Sequence, residues 1–223
     1  MRERSQVSPW DERAEAYRTS VAHATGADLD AVVEACHAGP GVKVLDVATG
    51  GGHVARRLRE QGADVVTCDS SAGMQPDVVC GAESLPFADG SFDIVVCRLA
   101  AHHFERIGDA VRELARVTSG LAVIEDHLYV DEETEAAEKL RDPSHVRAYS
   151  EQEWRELFAS AGLEVERTER YEKVLDFESW FQRTGTVGAD AERARELLAP
   201  LTSPDGDEWT SPMILVQARK SSS

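Results

Sequence analysis

The stretch from Val44 to Gly52 constrains the fold more than any other part of the chain. An apolar segment that ends at Val47 runs directly into a turn containing Gly50, Gly51 and Gly52, and a segment of helical period follows. In open α/β sheets, ligands bind at the carboxyl edge of a strand beside the next helix, and glycine lets the backbone approach a ligand closely. We therefore predict an α/β fold that binds a nucleotide-like ligand at this turn.

The rest of the chain continues this alternation of strand-like and helix-like segments. Short, densely apolar segments are typical of parallel strands buried on both faces, and segments with apolar residues at helical spacing separate them. This order predicts a parallel sheet covered by helices. The predicted strands span residues 42–47, 64–68, 92–97, 121–125, 163–177 and 212–219, and the predicted helices span 11–23, 28–37, 53–61 and 107–118.

Glycines and capping residues predict where several helices begin and end. Gly62 and Gly120 stand where a helix C-terminus favours a left-handed residue. Ser150 followed by Glu153 is a capping-box pattern that opens a further helix, and Gly162 closes it. Residues 202–210 are rich in Ser, Pro, Gly and Asp and are predicted to form a loop.

The charge balance restricts the partners of the chain. The 223 residues include 24 Lys and Arg against 41 Asp and Glu, which gives a formal net charge of -17. Such a surface repels phosphate backbones and anionic membranes. We therefore expect a small-molecule partner, with no nucleic acid and no membrane.

The length predicts one domain over residues 1–223, and we expect a cytoplasmic protein that is a monomer or a homodimer. The N-terminal segment lacks the apolar core of a secretion signal. The four cysteines form no C-x-x-C pair, so neither a zinc site nor a redox site is predicted from them.

Two aspartates identify the kind of ligand. Asp69 follows Gly50 by about 20 residues, where a carboxylate can accept hydrogen bonds from ribose hydroxyls. A dinucleotide fingerprint would need glycines at positions 48 and 53, which are Ala48 and His53. Asp46 precedes the turn and suits a cationic amino group better than a pyrophosphate, which it would repel.

Three further segments, together with the turn and Asp69, resemble the motifs of small class I S-adenosylmethionine-dependent methyltransferases of the ubiquinone and menaquinone biosynthesis type. They are residues 81–104, the segment 10–17 and the segment 138–147. The resemblance implies a Rossmann-like three-layer sandwich with a mostly parallel seven-stranded sheet. It also implies S-adenosylmethionine as cofactor, N-terminal lid helices over residues 1–38, an acceptor-side insertion at 127–160 and a flexible tail at 220–223.

The resemblance assigns cofactor roles to individual residues. One group would bind the methionine moiety, Asp69 the ribose, a third group would border the adenine, Arg98 would begin the loop after the fourth strand, and Tyr17 would close over the cofactor. The methionine group is Asp46, Ala48, Gly50 and Gly52, and the adenine group is Ser70, Met74, Ala82 and Glu83.

The adenine side departs from the family pattern. Relatives commonly carry Asp where this chain has Gly81, so a side-chain acceptor for the adenine amine is missing at that position. The link from Asp69 to Gly81 is also too short for a full helix between the second and third strands.

His102 and His103 follow the fourth strand and are candidate general bases toward an acceptor. His127 and His145 are weaker candidates. No histidine pair has the i, i+4 spacing of a helical metal site, so no metal site is predicted. The expected acceptor pocket comprises the N-terminal helix and the segments 98–104, 126–149 and 176–185, whereas the aromatic residues Trp154, Phe158, Trp180 and Phe181 are interpreted as core.

Three functions stay open on the sequence. The first is methyl transfer to an O, N or C nucleophile of a small molecule, mainly by alignment of the reactants. The second is a cyclase or isomerase of the same fold with a structural cofactor. The third is a non-catalytic S-adenosylmethionine-binding protein. The acceptor is not identified.

Overall fold

The computed structural model describes residues 9–18 and 24–220. Its centre is a seven-stranded sheet with the strand order β3-β2-β1-β4-β5-β7-β6. β7 is antiparallel to both of its neighbours, and the remaining pairs are parallel. The predicted mostly parallel seven-stranded sheet is confirmed. The strands are β1 Lys43–Val47, β2 Asp64–Asp69, β3 Val78–Val79, β4 Phe92–Arg98, β5 Thr118–His127, β6 Leu163–Asp176 and β7 Glu208–Lys220.

Helices cover both faces of this sheet. They are α1 Pro9–Arg18, α2 Ala27–Cys36, α3 His53–Glu60, α4 Ile107–Val117, α5 Glu132–Arg141, α6 Glu151–Ser160, α7 Phe177–Gln182 and α8 Ala189–Leu197. Short 3-10 helices occur at Ala72–Met74, Ala101–His103 and Ala199–Leu201. Within the described residues, no helix is long and apolar enough to span a bilayer.

The side-chain alternation of β1 explains the three layers. Val44 packs in one apolar cluster with residues of α2 and α3, whereas Leu45 packs in a second cluster with residues of α4 and α6. Because successive side chains of a strand point to opposite faces, an unbroken apolar strand needs a helical layer on each side. Full burial of such a side chain contributes about 1.5–3 kcal/mol.

The aromatic residues interpreted as core are buried. Trp154 and Phe158 of α6 lie in the cluster beneath α4, and Trp180 and Phe181 of α7 lie in a third cluster. Trp209 of β7 also belongs to that third cluster. These aromatic side chains therefore stabilise the helical layers.

Most of the predicted helix ends are confirmed. Ser150 and Glu153 form the reciprocal capping box of α6, and Gly62 and Gly162 both have positive φ after their helices. The prediction for Gly120 is wrong, because α4 ends at Val117 and passes directly into β5. Gly120 is a strand residue whose added Cβ would lie 2.9 Å from the Asp93 carbonyl oxygen, so a close backbone approach requires glycine there.

Other segment bounds differ in instructive ways. β7 begins at Glu208, inside the loop predicted for residues 202–210. The link between β2 and Gly81 holds only the Ala72–Met74 turn and the two-residue β3, so the expected lack of a full helix is confirmed. Of the helix predicted for 11–23, residues 11–18 are helical and belong to α1, which begins at Pro9, and 19–23 lie outside the described residues.

Candidate active site

A cleft opens at the carboxyl ends of β1, β2 and β4, the edge at which parallel strands of α/β sheets present ligand sites. Ten of the predicted site residues line it, and Trp10, Leu99 and Phe104 extend its wall. Gly52 and His102 do not line it, and the side chain of Tyr17 lies outside the described residues. The ten are Asp46, Ala48, Gly50, Asp69, Ser70, Met74, Ala82, Glu83, Arg98 and His103.

The turn after β1 is built from left-handed residues. Ala48, Gly50 and Gly52 have φ values of 54°, 52° and 71°. Gly52 is the N-terminal cap of α3 and does not line the cleft. Ala48, and Leu99 at the end of β4, are non-glycine residues with positive φ that both line the cleft. Such strain costs on the order of 1–3 kcal/mol and commonly concentrates at functional sites.

Asp46 is buried beneath this turn, with 2% of its surface exposed. Its Oδ2 accepts hydrogen bonds from the Thr49 hydroxyl at 2.6 Å and from the Ala55 N–H at 3.2 Å. Burial raises the pKa of this carboxyl to about 6, although the hydrogen bonds and the positive charge of Arg98 oppose the rise. Asp46 therefore joins β1 to the turn and to α3 while it faces the cleft.

Asp69 holds the other side of the turn. Its Oδ2 accepts a hydrogen bond from the Gly50 N–H, and its Oδ1 accepts one from the Ser71 N–H, both at 2.9 Å. Burial raises the pKa of Asp69, and these N–H donors partly offset the rise. Because each carboxylate oxygen has two lone pairs, the side chain retains acceptor capacity for a ligand.

In the part of the cleft that is predicted to bind the adenine, the side chain of Glu83 lies close to Gly81. A Cβ added to Gly81 would lie 3.4 Å from Oε2 of Glu83. The Glu83 carboxylate therefore reaches the space beside position 81. Met74, Ala82 and Glu83 all line this part of the cleft.

Arg98 lines the cleft, but its guanidinium belongs to a buried charge network. It bonds Asp28 at 2.5 Å and lies 3.4 Å from Glu125. Lys173 also bonds Asp28 at 2.6 Å, and the Tyr171 hydroxyl donates to Glu125 at 2.5 Å. The network ties α2, β4, β5 and β6 together behind the cleft, and only Arg98 was predicted as a site residue.

Helix α1 packs against the segment that follows β2. Asp11 accepts hydrogen bonds from the Ser71 hydroxyl and from the Gly73 N–H, the latter at 2.8 Å. Arg18 donates to the Gly73 carbonyl oxygen at 2.6 Å. Trp10 of the same helix lines the cleft, so α1 forms part of its wall.

The two candidate bases occupy different positions. His103 lines the cleft, stands edge-on to Trp10 with 4.6 Å between ring centroids, and bonds the Ser144 carbonyl oxygen through Nδ1 at 3.0 Å. That carbonyl can only accept, so Nδ1 carries the proton and Nε2 the lone pair. Burial lowers the pKa of His103. His102 instead bonds Asp126 through Nδ1 at 2.5 Å, behind the wall of the cleft.

The acceptor pocket expected from the sequence needs correction. Among the described residues, those of the segments 126–149 and 176–185 do not line the cleft. The second of these segments contributes Phe177, Trp180 and Phe181 to the third apolar cluster. The first reaches the site indirectly, because Ser144 contacts His103.

Comparisons with known proteins agree with this geometry. A family model described as a methyltransferase domain matches residues 45–123. The chain is 32% identical to YcgJ, an uncharacterised methyltransferase of Bacillus subtilis strain 168, over 87% of this chain and 84% of that protein. The chain belongs to the small class I S-adenosylmethionine-dependent methyltransferases. The crystal structure of YcgJ superposes on this methyltransferase with a TM-score of 0.81 and 28% identity, over 88% of this chain and 99% of that one.

Two further proteins are similar over a shorter stretch of sequence or in fold alone. A demethylmenaquinone methyltransferase of Beutenbergia cavernae is 41% identical, over 40% of this methyltransferase and 41% of that enzyme. The [4+2]-cyclase SpnF has a TM-score of 0.62 at 18% identity, over 86% of this chain and 79% of that one. The SpnF likeness concerns the fold alone.

Proposed function

We propose that this methyltransferase binds S-adenosylmethionine in the cleft at β1, β2 and β4 and transfers its methyl group to an O, N or C nucleophile of a small molecule. The observation that carries the proposal is the convergence of Asp46, Asp69 and the Gly50 turn on one cleft. A cationic sulfonium cofactor matches this set, since the two carboxylates would accept hydrogen bonds from its amino group and its ribose hydroxyls.

Each part of the cofactor has matching residues. Asp46 would accept hydrogen bonds from the α-amino group, and Asp69 from the ribose hydroxyls. Met74 would form an apolar wall against the adenine. Glu83 would accept a hydrogen bond from the adenine amine and so take the place of the aspartate missing at position 81. The side-chain acceptor for the adenine amine would therefore be Glu83 and not residue 81.

The protein contributes chiefly by aligning the reactants. Methyl transfer from a sulfonium proceeds by in-line displacement: the nucleophile bonds the methyl carbon as the carbon–sulfur bond breaks, and S-adenosylhomocysteine leaves. Alignment of two bound reactants removes on the order of 7–11 kcal/mol of barrier in the best cases. Trp10, Leu99, His103 and Phe104 form the wall on which the acceptor would lie.

His103 is the proposed general base. Its Nδ1 is held by Ser144, which leaves Nε2 as the acceptor of a proton from an acceptor hydroxyl or ammonium group. His102 is not proposed for this role, because its ring lies behind the cleft against Asp126.

Calorimetry tests cofactor binding. Wild-type protein should bind S-adenosylmethionine and S-adenosylhomocysteine at one site. Asp69→Ala should lose most of this affinity, whereas Asp64→Ala, at the exposed opposite end of β2, should retain it. Folded wild-type protein that gives no heat and no thermal shift with either ligand would contradict the proposal.

Turnover is tested separately. Phenols, quinols, amines and a host-cell extract are incubated with cofactor labelled in the methyl group. Transfer predicts a labelled product together with stoichiometric S-adenosylhomocysteine. Substrate conversion without S-adenosylhomocysteine would instead support a cyclase or isomerase with a structural cofactor.

A further inference from the structure

We propose that His102, Asp126 and His127 form a binding site for a divalent first-row transition-metal ion such as Zn²⁺. One potential ligand atom of each residue lies within 4.8 Å of the others. The site is distinct from the cofactor cleft, since none of the three residues lines that cleft. The metal site adjoins the cleft, because the ring centroid of His102 lies 4.0 Å from that of His103, which lines the cleft. The proposal does not depend on which acceptor is methylated.

The sheet topology brings His102 next to Asp126 and His127, although His102 is far from both in the sequence. Asp126 and His127 end β5, and His102 lies in the 3-10 helix that follows the adjacent parallel strand, β4. Carboxyl ends of neighbouring parallel strands meet at one edge of the sheet. Spacing along the chain therefore gives no sign of the cluster, because the i, i+4 signature applies to ligands on a single helix.

The burial of the Asp126 carboxyl group supports the site. Only 1% of this residue is exposed. In the described part of the chain, this carboxyl group forms a hydrogen bond with the His102 ring, and no lysine or arginine pairs with it. An ionised carboxylate is costly to bury without a cation or a metal ion. A divalent ion would provide this compensation.

The carboxylate is held in place by backbone groups. The His102 N–H donates to Oδ2 at 2.9 Å, and the His127 N–H donates to Oδ1 at 2.8 Å. Each of these donors belongs to a residue whose imidazole is also in the cluster. Hydrogen bonds to a ligating carboxylate orient it toward the ion and commonly raise affinity.

The two imidazoles are arranged as nitrogen ligands. Their ring centroids are 4.9 Å apart. His127 bonds the Ser211 hydroxyl through Nδ1 at 3.0 Å, so its Nε2 is available to an ion. A hydrogen-bonded proton joins His102 Nδ1 to Asp126 Oδ1 at 2.5 Å. An ion would replace that proton and widen this pair to normal coordination distances.

The donor set points to the class of ion. Two imidazoles and one carboxylate suit Zn²⁺ and other first-row divalent ions, whereas Mg²⁺ and Ca²⁺ favour oxygen ligands. Water would complete the coordination. His127 is half-buried, whereas His102 and Asp126 are buried.

Metal titration of the full-length protein tests the site. Chelator-treated protein is titrated with Co²⁺, followed by visible absorption, and with Zn²⁺ in a calorimeter. We expect one equivalent of each ion to bind, with the d–d bands of nitrogen-ligated Co²⁺. Binding of more than one equivalent would reveal further metal sites elsewhere in the protein. Absence of a one-to-one phase in the wild-type protein would overturn the proposal.

Variants assign that phase to the cluster. His127→Gln and Asp126→Asn should each weaken metal binding by about 10–100-fold or more. Matched controls are His145→Gln, a buried histidine beside the cluster, and His37→Gln, an exposed one. Both controls should bind within about threefold of wild type. Circular dichroism establishes that each variant is folded. Retention of full Co²⁺ affinity in folded His127→Gln would show that the ion binds elsewhere.

Discussion

The Gly50 N–H donates a hydrogen bond to the Asp69 carboxylate at 2.9 Å. The residue predicted to bind the ribose therefore also fixes the glycine turn that is predicted to bind the methionine moiety. One side chain couples the two halves of the proposed cofactor site. The Ser71 N–H, on the other oxygen, extends this coupling to the segment against which α1 packs.

Asp69→Ala is therefore expected to change both affinity and stability. Removal of the carboxylate leaves the buried Ser71 N–H and the half-buried Gly50 N–H without their acceptor, which costs about 1–3 kcal/mol of unfolding free energy. Cofactor affinity should fall by at least about tenfold, since charge-assisted hydrogen bonds to the ribose are lost. Urea unfolding and calorimetry measure the two effects. Unchanged stability in Asp69→Ala would contradict the structural part of this prediction.

Asp46 predicts a pH dependence of cofactor binding. Burial raises the pKa of its carboxyl to about 6, and the cationic α-amino group binds the ionised form. Affinity should therefore be full above about pH 7 and decline as the pH falls through about 6. The Arg98 cation lowers this pKa and the Asp69 anion raises it, so both charges influence the midpoint.

Calorimetry from about pH 5 to about pH 8 measures this dependence. In Asp46→Asn, affinity should be lower and the inflection near pH 6 should disappear. An inflection of the same size in Asp46→Asn would assign the dependence to another group, such as Asp69, whose pKa is also raised.

The cleft at the ends of β1 and β2 could be predicted from the sequence because its determinants are local. Asp46, Gly50 and Asp69 belong to a strand, the turn after it and the next strand, and their spacing along the chain reflects a single βαβ unit. Their convergence on one cleft needs no knowledge of the remaining topology. The strand alternation likewise predicted the layers on both faces of β1.

The parts that were missed depend on long-range register. Lys173 bonds Asp28 across 145 positions, a contact that exists because the long β6 pairs with β7 at one particular register. Gly120 was misread because glycine serves equally in helix caps and in crowded strands. No spacing rule distinguishes these uses, whereas the proximity of the Asp93 carbonyl oxygen does.

His103→Gln tests the proposed general base. Loss of proton transfer should lower kcat by about 10²–10⁴-fold with an acceptor that must be deprotonated, while affinity for S-adenosylhomocysteine stays within about twofold. Steady-state kinetics and calorimetry separate these effects. His37→Gln is the matched control. A kcat in His103→Gln close to that of wild type would leave alignment as the whole of the catalytic contribution.

The contact between α1 and the Ala72–Met74 turn predicts slower cofactor release in the wild type than in Asp11→Ala. This substitution removes the acceptor for Ser71 and Gly73 and so loosens α1. Stopped-flow release of S-adenosylhomocysteine should accelerate by about tenfold, equivalent to loss of roughly 1.4 kcal/mol. Asp64→Ala should release at the wild-type rate. Equal release rates in Asp11→Ala and wild type would show that this contact of α1 does not retain the ligand.

Glu83 predicts how this site distinguishes adenine from related bases. The carboxylate can accept a hydrogen bond from the adenine amine, but a hypoxanthine ring presents a carbonyl oxygen there and would be repelled. Wild-type protein should therefore prefer S-adenosylhomocysteine over its inosine analogue by at least about tenfold. In Glu83→Ala the preference should fall to about twofold, because adenine loses its acceptor while the analogue loses a repulsive neighbour. Competition calorimetry with both ligands measures the ratio. A preference that persists in Glu83→Ala would place recognition of the amine on backbone carbonyl groups instead.

The double variant Glu83→Ala/Gly81→Asp tests from which side the adenine amine is bound. An aspartate at position 81 should restore the preference only if its carboxylate can accept a hydrogen bond from the amine.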